Sequence, residues 1–204
     1  IATLVGAGIA LRASDPTGTL AAEVTGATLS SNDVSAAASG VELSTAGTGA
    51  LVDTTGLDSN HLHANVDGVL LQDTNLTGLG THGAITATCN RIVGNTGAGV
   101  RVLADVESGG VSVTTSTISG NALGGIDNAS TTTLVGTDNF WGDASGPSGV
   151  GPGTGDSVTV RVTFTPHATA EPLCVTCSGA GGDTDGGQGC DPVGNCVADR
   201  DWAQ

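Results

Sequence analysis

The chain has no lysine, no methionine and no tyrosine, and aromatic residues make up only 2% of its 204 positions. Two Phe and two Trp are too few for the core of a layered domain, which normally relies on more large side chains. The apolar residues are instead mainly Val, Ile, Leu and Ala, which suit narrow stacked strands. The 34 glycines, with many Asn, Asp, Ser and Thr, supply turns at short intervals. This composition predicts an all-β chain.

Positive charge is scarce as well. Five arginines stand against 20 acidic residues, which gives a formal net charge of −15. Scattered cations cannot neutralise a run of phosphates, so nucleic acid and anionic membranes are disfavoured as partners. No apolar run approaches the roughly 20 residues of a membrane-spanning helix. We therefore expect no membrane span and no nucleic-acid partner, with an acidity that serves solubility, salt tolerance or cation binding.

A short motif, Gly-(Ile/Val)-x-(Leu/Val), recurs along the chain. Its copies begin at Gly8, Gly40, Gly68 and Gly99, and a degenerate copy begins at Gly125. The intervals between copies are 32, 28, 31 and 26 residues. Repeats of this length with variable spacing are typical of a solenoid whose coils differ in loop length.

A polar residue recurs once in each repeat, at Asn32, Asn60, Asn90, Ser116 and Asn139. Small or apolar residues precede each one by five and three positions, and an apolar residue follows two positions later. Period-2 spacing places those neighbours on the inner face of strands. Stacked coils would then align Asn32, Asn60, Asn90 and Asn139 as a ladder of hydrogen-bonded amides. The pattern predicts a parallel β-helix of about five coils.

The same alignment predicts the columns of the core. One column contains Leu29, Leu57, Ala87 and Val113, a second contains Val41, Val69, Val100 and Ile126, and a third contains Val34, Leu62, Ile92, Ile118 and Trp141. Charged substitutions at Leu62 or Ile92 should unfold the solenoid, because an unpaired charge would lie between coils. Val93 and Thr117 are expected on the outer face, where the same substitution should be mild.

The repeat stops after Asn139, where the sequence changes in character. The segment from Asn139 to Pro147, Asn-Phe-Trp-Gly-Asp-Ala-Ser-Gly-Pro, is followed by a Gly-rich link and by Val162-Thr-Phe-Thr-Pro166. This arrangement resembles the terminal coil of bacterial and archaeal β-helix surface proteins of the pectate-lyase-like fold group. The resemblance, over about residues 25–168, implies a right-handed parallel β-helix that is secreted or on the cell surface. We expect a body at 1–168, with its terminal coil at 138–168 and Trp141 as the cap.

The remaining tail, 169–204, is rich in cysteine and aspartate. Four cysteines in a short stretch of an apparently secreted chain indicate two disulfides with three possible connectivities, among Cys174, Cys177, Cys190 and Cys196. A zinc site is the alternative, although the spacing from Cys190 to Cys196 is loose for one. Cys89, the fifth cysteine, is expected to be a free thiol.

An acidic loop in this tail resembles the calcium loops of thrombospondin type 3 repeats. It reads Asp183-Thr-Asp185-Gly-Gly-Gln-Gly-Cys-Asp191, with closely spaced carboxylates on a Gly-bent segment. The resemblance implies calcium bound by Asp183, Asp185 and Asp191, although a further Asp after Gly186 is missing and the loop occurs once. The alternative is an acidic linker.

Three histidines and two arginines are the other candidates for chemistry. His61 and His63 share the outward face of one strand, near Asp33 and Arg91 of adjacent coils; a metal site there would need a third ligand, so solvated side chains are the favoured interpretation. His82 is assigned to a loop, in a Thr-His-Gly that only faintly echoes the Gly-His-Gly of polygalacturonases. Arg91 and Arg101 appear without paired carboxylates, which disfavours a lyase site, and we assign no catalytic residue.

The favoured function is therefore an extracellular structural or adhesive module, which could stack head to tail into filaments of its own copies. Two alternatives stay open: an enzyme acting on polysaccharides, as a lyase or a hydrolase, and a calcium-dependent module that binds acidic or neutral glycans.

Overall fold

The computed structural model describes residues 6–15, 17, 21–53, 55–74, 80–174, 189–190 and 196–197, with the backbone alone at 107–109, 189–190 and 196–197. The chain divides into two compact units, Ile1–Pro172 and Leu173–Gln204. The boundary lies four residues beyond the expected end of the body at residue 168. Within the described ranges the regular structure is all β, without a helix.

The first unit is built from short strands that follow one another around successive coils. Coil 1 contains β1 (Ala7–Ser14), β2 (Ala22–Thr25), β3 (Thr28–Ser30) and β4 (Asp33–Ser35). Coil 2 contains β5 (Ser39–Ala46), β6 (Ala50–Asp53), β7 (Thr55–Asp58) and β8 (His61–His63). Coil 3 contains β9 (Asp67–Asp73), β10 (Thr81–Thr88) and β11 (Arg91–Val93), and coil 4 contains β12 (Ala98–Val102), β13 (Glu107–Thr114) and β14 (Thr117–Ser119). The last coils contain β15 (Gly124–Asn128), β16 (Leu134–Val135), β17 (Pro147–Gly149), β18 (Gly155–Val158) and β19 (Val162–Thr163).

These strands form three parallel sheets along the stack. The first sheet has the order β1-β5-β9-β12-β15-β18-β17, and the third has the order β4-β8-β11-β14. The second sheet runs from β2 through β6, β10, β13 and β16 to β19, with β3 and β7 paired beside it. Each coil pairs in parallel with the next, which makes a β-solenoid of about five turns. The predicted all-β parallel solenoid is therefore confirmed, while its right-handedness stays an implication of the resemblance.

The apolar columns of the core follow the predicted register. Val41 pairs with Val69, Val69 with Val100, and Val100 with Ile126. Leu62, Ile92 and Ile118 form the equivalent column of the third sheet, and all three side chains are buried. Period-2 alternation on short strands is sufficient to place these residues, because one face of each strand is always interior.

The recurring glycine of the motif allows the coils to approach closely. A Cβ on Gly99 would lie 2.7 Å from the carbonyl oxygen of Gly125, one coil further along. A Cβ on Gly40 would lie 2.7 Å from the carbonyl oxygen of Gly68. Any side chain here would force adjacent coils apart, which explains why this position of the motif is glycine in each copy.

The first polar ladder runs along one corner of the solenoid. The side-chain oxygen of Asn60 accepts hydrogen bonds from the backbone N–H and the side-chain amide of Asn32, at 3.1 and 2.8 Å. Asn90 receives the same two bonds from Asn60, both at 3.0 Å. Ser116 accepts from the backbone of Asn90 at 3.0 Å, and Asn139 accepts from Ser116 at 2.9 Å. Buried amides are tolerated because each one bonds to the adjacent coil.

A second ladder, which we did not predict, lies at the next corner. Asn65, Asn95 and Asn121 are buried, and each accepts the backbone N–H of the residue one coil earlier, from Ala37, Asn65 and Asn95 respectively. Their side-chain amides donate to the carbonyl oxygens of Val34, Leu62 and Ile92. The ladder ends at the carboxylate of Asp156. The signal in the sequence is an Asn five residues after Asn60, Asn90 and Ser116.

Trp141 follows Ile118 in the third column and is fully buried. Its ring lies against Gly125, where a Cβ would meet ring carbons at 2.9 Å, and its indole N–H has no hydrogen-bond partner. Thr117 differs from expectation: it faces outward but is only 6% exposed, because the last coil runs beside it through the bridge to Phe140. The expected exposure of Thr117 is therefore wrong, whereas Val93 is partly exposed.

Candidate functional site

The outer face of the third sheet carries a row of functional side chains. Parallel pairing aligns Asp33 with His61, His61 with Arg91, Arg91 with Thr117, and Thr117 with Phe140. These residues point outward because they alternate with the interior column of this sheet. The sheet thus aligns a carboxylate, an imidazole, a guanidinium, a hydroxyl and an aromatic ring in five consecutive coils.

Asp33, His61 and His63 come together at the coil 1 end of this row. The Asp33 carboxylate oxygen Oδ1 lies 2.8 Å from His63 Nε2 and 3.7 Å from His61 Nδ1. The two imidazole rings are stacked, with centroids 4.2 Å apart. One ligand atom from each residue lies within 4.8 Å of the other two. The third ligand that the sequence analysis found lacking for a metal site is therefore supplied by Asp33.

The electrostatics of this cluster favour a neutral His61. Burial is the largest cause that lowers its pKa, followed by the charge of His63, with a smaller contribution from Arg91, while Asp33 acts in the opposite direction. Arg91 itself donates to Glu171, with its Nη1 atom 3.0 Å from the carboxylate oxygen Oε2. The guanidinium is thereby held by an acidic partner next to the histidines.

An open groove of about 740 Å³ lies where the row meets the last coil. Ser119, Leu123, Phe140, Thr154 and Glu171 are among the residues that line it. Hydroxyl, carboxylate and aromatic groups together are a lining that suits a sugar, because rings stack on sugar faces while polar groups bond to hydroxyls.

Asp156 forms one wall of this groove and closes the second ladder. Its Oδ2 atom accepts from the backbone and the side-chain amide of Asn121 at 3.0 and 2.8 Å, and its Oδ1 atom accepts from Gly120 at 2.9 Å. Burial raises the pKa of this carboxyl group, although the hydrogen bonds from Asn121 and Gly120 oppose the shift. These bonds assign Asp156 a structural role as the terminal rung.

The arginines of the first sheet are paired with carboxylates, contrary to expectation for Arg101. Arg101 donates through Nε to Asp67 at 3.0 Å, and its Nη1 atom lies 3.5 Å from Asp127. Arg12 holds Glu42 through two bonds of 2.9 and 3.0 Å. The partners lie about one coil away, where stacking brings together residues that are distant in sequence. Carboxylates on both sides stabilise a charged guanidinium, which is unsuited to act as a base.

His82 lies on strand β10 and not in a loop. Its side chain points into the core and has no solvent exposure, since it occupies the same column as Val52. The Nε2 atom lies 3.2 Å from the carbonyl oxygen of Leu43, and Nδ1 has no partner. Burial lowers its pKa, against smaller opposing contributions from Leu43 and Asp73. Strict alternation from the buried Ile85 and Ala87 would have turned His82 outward, and it points inward because the alternation breaks at Gly83 and Ala84.

The predicted residues of the tail fall mostly outside the described part of the chain. Asp183, Asp185, Asp191 and Cys177 are not described, so the calcium site stays a prediction. Cys190 and Cys196 face each other in the antiparallel pair of β20 (Gly189–Cys190) and β21 (Cys196–Val197). This backbone register is compatible with a disulfide between them, while the complete pairing of Cys174, Cys177, Cys190 and Cys196 stays a prediction. Cys89 is partly exposed as a free thiol.

Comparisons of the chain with family models, curated proteins and solved structures give no significant match. Among the described residues, no helix has the length and apolar character that crossing a membrane requires.

Proposed function

We propose that this chain is an extracellular structural or adhesive module, a β-solenoid that stacks through its first coil onto a second copy. The observation that carries this proposal is the difference between the two ends of the solenoid. A parallel β-coil exposes backbone N–H and C=O groups at each end, and natural solenoids cover or blunt such edges.

Coil 1 presents incompletely covered columns. Its inward residues are only partly buried, whereas the residues below them in coil 2 are buried almost completely. The partly buried set is Ile9, Leu11, Val24, Leu29 and Val34. This difference supports a further β-layer on the coil 1 side, because contact with such a layer would remove the remaining apolar surface from water.

The polar ladder also starts with an unused acceptor. The Oδ1 atoms of Asn60 and Asn90 accept bonds from the preceding coil, and Asn32 occupies the equivalent position in coil 1. Within the described part of the chain no donor reaches Asn32 Oδ1. A second copy packed on coil 1 would bring N–H donors to this acceptor.

The last coil has the features of a blunted edge. Strand β17 begins at Pro147, and Pro166 follows closely after β19. Proline has no N–H to donate, so it is suited to edges that do not pair. Trp141 closes the third column at this end. These features favour a closed pair that meets through coil 1 over the head-to-tail filament.

Sedimentation velocity over a range of protein concentrations tests this proposal. We expect the wild type to dimerise and Leu29→Arg to remain monomeric, because the arginine places a charge on the partly exposed column. Val160→Arg is the matched control at a site that is 55% exposed on the last coil. Circular dichroism confirms that each variant folds. A wild type that is monomeric at every concentration contradicts stacking, and long filaments in electron micrographs favour the head-to-tail alternative.

Binding of a neutral glycan is a second candidate, favoured by the groove beside Phe140. The strongly acidic chain repels acidic glycans, which leaves neutral ones as the better ligands. Calorimetric titration with neutral oligosaccharides should show binding that Phe140→Ala weakens and Val135→Ala, outside the groove, leaves unchanged. Repeating the titration with EDTA tests the calcium dependence. Depolymerisation of a polysaccharide that depends on Arg101 would instead support the enzyme.

A further inference from the structure

We propose that Asp33, His61 and His63 bind one divalent transition-metal ion of the Zn²⁺ class across coils 1 and 2. Two imidazole nitrogens and one carboxylate oxygen are a ligand set that suits Zn²⁺, with water completing the tetrahedron. The site rests on the geometry of the cluster and is independent of the stacking that we propose for the module.

The ligand atoms are spaced as such a site requires. Metal–ligand bonds of about 2.0–2.2 Å in tetrahedral geometry put ligand atoms roughly 3.4 Å apart. The Asp33 oxygen lies 2.8 Å from His63 Nε2 and 3.7 Å from His61 Nδ1, on either side of that separation. The backbone holds this arrangement because β4 and β8 are paired in register.

The rings have room to turn toward a shared ion. The ring planes are within 20° of parallel with centroids 4.2 Å apart, so one imidazole must tilt to direct a nitrogen of each ring at a common centre. Both side chains are about one third exposed, at 38% for His61 and 33% for His63, and Asp33 is 69% exposed. Side chains exposed to this extent change rotamer without disturbing the core.

The charges around the cluster permit a cation. Asp33 is the carboxylate within the cluster, and Arg91 is the neighbouring cation in the next coil. Because Glu171 holds the Arg91 guanidinium at 3.0 Å, its charge is partly compensated. Arg91 therefore weakens metal binding without preventing it, and its removal should strengthen binding.

A metal ion bound at this site would cross-link the first coil to the second. Coil 1 contributes only the carboxylate, while coil 2 contributes both histidines, so binding would require the two coils to be stacked. An ion that binds only the stacked state stabilises that state by mass action. The expected effect is a higher melting temperature in the presence of metal.

Isothermal titration of the full chain with ZnCl₂ tests the site. The thiols are first alkylated without reduction, because any free cysteine thiolate would itself bind zinc. We expect one equivalent to bind the wild type, with affinity reduced at least about tenfold in H61A/H63A and in D33N. R91Q should bind a few-fold more tightly, as loss of a nearby positive charge predicts. His167→Ala, which removes a histidine of the last coil, is the matched control and should leave binding unchanged.

A thermal melt provides the second readout. ZnCl₂ should raise the melting temperature of the wild type and of H167A, and should leave that of H61A/H63A unchanged. Zinc binding that is equally strong in H61A/H63A comes from other groups and overturns the proposal. A wild type that releases no binding heat and shows no thermal shift at millimolar ZnCl₂ overturns it as well.

Discussion

Each coil turns twice at a residue with left-handed backbone geometry, directly before a ladder position. Ser31, Ser59 and Cys89 have φ angles of 56°, 55° and 54°, ahead of Asn32, Asn60 and Asn90. At the second corner the same conformation is adopted by Ala64, at 52°, and by Gly94 and Gly120. The left-handed region costs a residue with a Cβ roughly 1–2 kcal/mol. The chain thus accepts strain at some corners and relieves it with glycine at others.

Ala64→Gly should therefore stabilise the protein. Ala64 is exposed, so the substitution removes no packing, and its equivalents in the next two coils are already glycine. The relief of strain exceeds the greater entropy of glycine in the unfolded chain, and we expect a gain of about 0.5–1 kcal/mol in the free energy of unfolding. Urea denaturation measures it. Ala64→Val is the opposing control, since a β-branched residue tolerates this φ poorly, and equal stabilities would contradict the interpretation.

Single residues were the hardest level to predict. The first ladder repeats in every coil, so its alignment is visible in the sequence. The second ladder begins at Ala37 and ends at Asp156, with asparagine at the positions between them. Because the residue type changes at both ends, the recurrence of asparagine is harder to recognise in the sequence. His82 was assigned to a loop, and alternation could not correct this, because the period-2 pattern of Ile85 and Ala87 breaks before it reaches residue 82.

At the scale of elements, the two asparagine ladders hold adjacent coils together through hydrogen bonds. Asn95 is 1% exposed, and its side chain makes three hydrogen bonds that join three consecutive coils, with Asn65, Leu62 and Asn121 as partners. Asn32, by contrast, is partly exposed at the first rung, and among the described residues its side chain bonds only to Asn60.

Asn95→Ala should consequently cost far more than Asn32→Ala. The first substitution leaves the N–H of Asn65 and the carbonyl of Leu62 buried without this partner, and we expect a loss of about 2–4 kcal/mol. The second removes one partly exposed bond and should cost less than about 1 kcal/mol. Chemical denaturation of both variants gives the comparison. Similar losses of stability in the two variants would show that the buried ladder bonds are not the main interaction that holds the coils together.

The pairing of strands was predictable, and the pairing of charges was not. Inner columns such as Val41, Val69 and Val100 follow from alternation and a recurring motif, because burial repeats in every coil. The ion pairs between Arg101 and Asp67 and between Arg12 and Glu42 join residues 34 and 30 positions apart. Coil lengths vary, so outward residues meet at separations that no fixed period reveals. The grouping of Asp33 with His61 and His63, by contrast, was predicted, because it follows from the same alignment of coils as the inner columns.

For the whole molecule, the buried His82 links stability to pH. Because burial holds its pKa below the usual value of about 6.5, the unfolded chain takes up a proton near that pH while the folded chain does not. Stability should be greatest above pH 6.5 and fall as the pH drops toward 5.5, with a slope of at most about 1.4 kcal/mol per pH unit.

His82→Leu should flatten this slope. The substitution removes the titrating group while keeping an apolar side chain in a column that also contains Val52. Urea denaturation between about pH 5.5 and 7.5 measures the free energy, since the reference carboxyl pKa values lie lower. His61→Leu is the control for the other histidine with a lowered pKa, whose partial exposure leaves it a weaker influence. An unchanged slope in His82→Leu would exclude His82 as the cause.

Because the two ends of the solenoid differ in burial, we expect the molecule to unfold from one end first. A stack in which each coil contacts only its neighbours frays from whichever end is held least, and coil 1 has the less complete burial and a single first rung. Amide hydrogen exchange of the monomer should therefore be fastest in β1–β4 and slow progressively toward β12 and β15. Such a gradient would mean that unfolding begins at coil 1 and proceeds coil by coil, so that the end that contains Trp141 opens last.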